Sequence, residues 1–75
     1  MANIPKLKGK IVEQGLTVEK LAQAVGMNRA TMYRKFKSGG EQLTIDEVQK
    51  ICDALQLSGD EATAIFLPGM SHNMR

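Results

Sequence analysis

The sequence predicts an all-α domain of five short helices, and three observations carry that prediction. Capping residues and glycines divide the chain into helix-sized pieces. Within each piece the apolar residues recur at three- and four-residue spacing. No segment shows the alternation of polar and apolar residues that marks a strand. Seventy-five residues suffice for one domain with a single core. The composition, 43% hydrophobic and 24% charged, is that of a globular chain. Phe36, Phe66 and Tyr33 are the only aromatic residues, so the core must rest on aliphatic side chains, methionine and alanine.

The first helix is expected over residues 5–14, with Pro5 in its first turn and Gly15 as its stop. Leu7, Ile11 and Gln14 lie on or near one face, with Lys6, Lys8 and Lys10 outside it. Thr17 can cap a second helix, in which Leu21, Ala22 and Val25 form the inward stripe. Gly26 follows at once, suited to the left-handed conformation that ends a helix. Asn28 can cap a third helix, with Met32 and Phe36 one turn apart and inward, and Ser38-Gly39-Gly40 opens a loop. Thr44-Ile45-Asp46-Glu47 is a capping box for a fourth helix, followed by Ile45, Val48, Ile51, Cys52 and Leu55 at helical spacing. A second box, Ser58-Gly59-Asp60-Glu61, leads into Ala62, Ile65 and Phe66. Pro68 and Gly69 close that helix, giving a folded domain over residues 1–67 and a flexible tail over 68–75.

Several classes of protein are disfavoured by what the chain lacks. The lone Cys52 allows no internal disulfide, and with the lone His72 it offers no zinc-ligand spacing. Cys52 reads as a small core residue and His72 as a solvated one. No Gly-rich phosphate loop or catalytic constellation is present, so neither an enzyme nor a cofactor is expected. No apolar run is long enough for a membrane span or a signal peptide, and a cytoplasmic protein without small-molecule ligands is expected. Charge is unevenly placed. Residues 1–37 hold eight basic and two acidic side chains, a net of +6, while residues 38–75 carry a net of −4. Such a chain can turn a basic face to a polyanion.

The stretch from Thr17 to Lys37 is the most specific segment. A capped helix, a glycine at the turn and a second helix beginning two residues later make a helix-turn-helix. Ala22, four residues before Gly26, lets the helices approach, and Met32 supplies an apolar plug that fixes their angle. This segment resembles the Cro/repressor family of phage and bacterial regulators. The matching residues are Gly15-Leu16-Thr17-Val18-Glu19-Lys20-Leu21-Ala22 and Val25-Gly26-Met27-Asn28-Arg29-Ala30-Thr31-Met32. Leu43 to Val48 and Ala54 to Ser58 are similar to that family's fourth helix and following turn, so the resemblance spans about residues 5–66. Glu61 to Phe66 is similar to small regulators in prophages of Gram-positive bacteria.

The resemblance implies a compact five-helix, lambda-repressor-like domain that binds double-stranded operator DNA as a homodimer and regulates transcription as a repressor or Cro-like protein. The third helix, about Arg29 to Lys37, would then lie in the major groove. It implies base contacts from Asn28, Arg29, Ala30 and Arg34, with Tyr33 either beside them or covering the helix edge. Arginine there would donate to guanine O6 and N7, worth about 1–3 kcal/mol of discrimination. Phosphate contacts are expected from Thr17 at a helix N-terminus, from Lys37, and from the backbone amides of Gln42 and Leu43. Two departures stand out. Val18 replaces a frequent glutamine that clamps a phosphate, and Ile11 and Phe36 fill the places of a frequent buried arginine–glutamate pair. A module that acts by gripping a cognate repressor protein is the alternative to direct operator binding. Ile65, Phe66, Leu67 and Met70 either form a dimer surface or close the core.

Overall fold

The computed structural model describes residues 2–67, and these form five helices: α1 (Ile4–Glu13), α2 (Val18–Val25), α3 (Arg29–Lys37), α4 (Ile45–Leu55) and α5 (Gly59–Phe66). There is no strand among the described residues. The expected tail, with Pro68, Gly69, Met70 and His72, lies outside them. No helix among the described residues is long and apolar enough to cross a membrane.

Each helix begins where a side chain can satisfy an orphan amide. Thr17, Asn28, Thr44 and Ser58 all accept a hydrogen bond from a backbone N–H of the first turn. Both capping boxes are complete, with Glu47 and Glu61 bonding back to the amides of Thr44 and Ser58 at 2.9 Å. The first helix starts one residue earlier than the proline implies, because Asn3 caps it by accepting from Lys6 N at 3.1 Å. Pro5 then falls in the first turn, where its missing N–H costs nothing.

The core is one cluster drawn from every helix: Leu7 and Ile11, then Leu21, Ala22 and Val25, then Met32 and Phe36, then Ile51 and Leu55, and finally Ile65. It contains no buried polar residue. Ile65 is fully enclosed, so it closes the core. Phe66 packs half-buried against the cluster, and only Leu67 of the three stands out in solvent. α2 is central, packing against α3 and α4 as well as α1, while α1 also meets α5.

Gln14, expected on the apolar face of the first helix, is its exposed C-cap, and two further residues depart from their expected places. Ile45 belongs to the apolar series of α4 by spacing, yet it is 87% exposed. It is the first residue of the helix, and the inward stripe begins a turn later. Lys10, expected on the outer face of α1, is tucked against α5, where its ammonium pairs with Glu61 and also with Glu13 at 3.2 Å. A second inter-helix tie joins Lys35 of α3 to both oxygens of Glu47 on α4, at 2.8 and 3.0 Å. Two cations of the basic half are thus spent on joining it to the acidic half.

Two predictions follow from this packing. Phe36→Ala removes a buried ring from a small core and should cost about 3–5 kcal/mol, much of the domain's stability; thermal melts by circular dichroism check it. The Lys10 ammonium beside Glu61, helped by the Ser58 amide, lowers that carboxyl from 4.5 to about 2. A carboxyl depressed in the folded state stabilises above its unfolded pKa, and that contribution is lost as pH falls from about 4.5 towards about 2. Glu61→Gln keeps the capping box but removes the charge, so its melting temperature should fall less than wild type's across that window. Parallel acid limbs in the two proteins would refute the assignment.

Candidate nucleic-acid interface

The turn between α2 and α3 fixes the geometry of the site. Gly26 sits at φ 74°, ψ 32°, left-handed backbone that side chains with a Cβ resist. No atom crowds the space a Cβ would take, so backbone conformation, not room, requires glycine there. The Met27 amide donates to the Ala22 carbonyl at 2.8 Å, completing the end of α2. Two residues later α3 begins, capped by Asn28 Oδ1 accepting from Ala30 N at 2.8 Å. Ala22 and Met32 are both buried where the two helices meet.

With Met32 and Phe36 committed to the core and Thr31 and Lys35 half-buried at its flanks, the remaining residues of α3 are turned out. Asn28, Arg29, Ala30, Tyr33, Arg34 and Lys37 are all exposed, Tyr33 at 48%. Arg29, Tyr33 and Lys37 follow at four-residue spacing along one row, with Ala30 and Arg34 in the row beside it. These residues therefore share one accessible face. Arg34 and Lys37 make no ion pair among the described residues, whereas Lys35, on the flank, is held by Glu47. The Asn28 carbonyl oxygen is occupied as a cap, which leaves its NH2 group to donate outward.

The expected phosphate ligands divide. Thr17 Oγ1 accepts from Lys20 N at 3.1 Å, so its hydroxyl hydrogen remains free to donate to an anion. The Val18 and Glu19 amides belong to the open first turn of α2. Near α4, the Leu43 amide already donates to the Gly40 carbonyl at 3.2 Å, while the Gln42 amide has no backbone partner. The second anion position thus reduces to Gln42. Val18 is half-buried and packs against the core, which is what its side chain offers in place of an amide.

One charged residue at this face escaped the sequence reading. Glu19, in the first turn of α2, pairs with Nη1 of Arg29. The two lie ten positions apart on different helices, so no helical periodicity connects them. The available signal was opposite charge in the first turns of two helices joined by a tight turn. Away from this face, Cys52, expected in the core, is only half-buried at its edge, and burial with the neighbouring Asp53 carboxylate pushes its thiol pKa up, which disfavours the reactive thiolate. No cluster of three or more metal-ligating side chains occurs among the described residues.

Comparison with known proteins agrees with this geometry. A family model described as the Cro/C1-type HTH DNA-binding domain matches residues 6–62, from α1 into α5. No curated protein and no solved structure matches the chain. The matched span includes the whole helix-turn-helix with its capped helices, its left-handed glycine and its outward basic face. The chain belongs to the Cro/C1-type HTH DNA-binding domain family and is a DNA-binding regulator of that general kind.

Proposed function

We propose that α3 is the recognition helix of a sequence-specific, double-stranded DNA-binding regulator, a repressor or Cro-like protein. The observation that carries this reading is the division of α3 into two faces. Met32 and Phe36 anchor one, and Asn28, Arg29, Ala30, Tyr33, Arg34 and Lys37 populate the other. A major groove about 12 Å wide admits a helix that presents such a face. Arg29 and Arg34 donate to guanine edges, Asn28 donates through its amide, and Ala30 and Tyr33 make apolar contact. Thr17, the first-turn amides of α2, Lys37 and the Gln42 amide hold phosphates on either side and set the register of the helix.

The regulator acts as a homodimer on DNA. One module of this size makes few phosphate contacts, and two modules on a two-fold axis double them across half-sites about one helical turn apart. Leu67 and Ile45, both exposed, border an open apolar groove with Leu43, Val48, Ala62 and Phe66, and this face suits contact between subunits.

Fluorescence anisotropy with a random-sequence duplex across a salt series tests the reading, using wild type and Arg29→Ala/Arg34→Ala. Wild-type affinity should fall steeply as salt rises, because each phosphate contact releases counterions. The double variant should bind about tenfold or more weakly at low salt, with an unchanged helical spectrum. Absence of wild-type binding at low salt would overturn direct DNA contact and transfer the role of this face to a protein partner such as a repressor.

A further inference from the structure

Glu19 and Arg29 form the only ion pair that joins α2 to α3 among the described residues. It sits at the mouth of the helix-turn-helix, between the second residue of α2 and the first of α3. Both side chains are open to solvent, at 65% for Arg29 and 48% for Glu19, so the pair adds little to folding stability. Its position matters more than its strength.

Only Nη1 of the guanidinium is engaged. Nη2 and Nε remain available, and a guanidinium has five N–H donors arranged as a planar fork. Guanine presents O6 and N7 as neutral acceptors, so Arg29 can donate to both while Glu19 still holds Nη1. A phosphate approaching the same fork is an anion, and it would arrive beside the Glu19 carboxylate. Like charges held together oppose that contact, which is how an unwanted partner is rejected.

From this geometry we infer that Glu19 is a specificity-determining residue, one that turns Arg29 away from backbone phosphate and towards a guanine edge. The inference rests on α3 being the recognition helix. Glu19 touches no base itself. It acts through Arg29, as a positioning residue and as a charge that makes non-specific binding less favourable.

The test compares wild type, Glu19→Gln, Arg29→Ala and Glu19→Gln/Arg29→Ala. Two probes are used: a random-sequence duplex, and the tightest duplex that wild type selects from a random pool. Glu19→Gln should tighten binding to the random duplex about 3- to 10-fold at low salt and steepen its log–log salt slope by about one. It should tighten binding to the selected duplex less, so the ratio of the two affinities falls. On the Arg29→Ala background the same substitution should change that ratio by less than about twofold. An unchanged ratio in Glu19→Gln would overturn the inference. So would an equal gain with and without Arg29, because Glu19 would then act only as a bulk negative charge. Wild type that binds neither probe at low salt would overturn the recognition-helix reading itself. Thermal melts of Glu19→Gln should match wild type, since the pair is exposed.

Discussion

Burial of Met32 and Phe36 is the constraint on which the rest of the molecule depends. α3 has nine residues, too few to hold together as an isolated helix in water, and only these two side chains enter the core. Their enclosure, each worth about 1.5–3 kcal/mol of transfer free energy, fixes the rotation of α3 about its own axis. Once that rotation is fixed, the direction of every other side chain on the helix follows. The outward face is therefore a consequence of the inward one, and a slip of one residue in α3 would bury Tyr33 and expose the plug.

Charge is used twice in this fold. The basic half of the sequence supplies the outward row of α3, but it also supplies Lys10 and Lys35, which the acidic helices claim. Glu47 caps α4 while holding Lys35, and Glu61 caps α5 while holding Lys10. One carboxylate in each case caps the start of a helix and ties two helices together. The lowered pKa values of both acids record those partners, the lysine first and the backbone amide second. This pairing keeps acidic side chains occupied away from the α3 face.

Local signals made most of this legible in the sequence. Thr17, Gly26, Asn28, Thr44 and Ser58 mark helix ends through bonds within a few residues, and such bonds can be anticipated from the order of residues alone. The buried stripe of each helix follows from its period. What stayed hidden depends on contacts between distant segments. Lys10 looks like a solvated lysine until α5 is brought beside it, and Glu19 gains a partner only when the turn at Gly26 carries Arg29 to it. Leu43 offers an amide on paper, yet a carbonyl three residues earlier takes it. Ile45 keeps the rhythm of α4 but precedes the point at which the helix meets the core. For the outward face of α3, the sequence was a good guide to which residues share a surface.

The turn after α4 differs in kind from the turn after α2. Gln56 takes the left-handed conformation, φ 55°, where Gly26 supplies it between α2 and α3. A residue with a Cβ holds that backbone only against its own preference. Burial of Leu55 and partial burial of Leu57 on either side supply the compensation. The bend of the helix-turn-helix is carried by a residue that adopts left-handed backbone without strain, glycine at φ 74°. The α4–α5 bend instead leans on the apolar residues beside it, so one turn is coded by its own residue and the other by the core it closes.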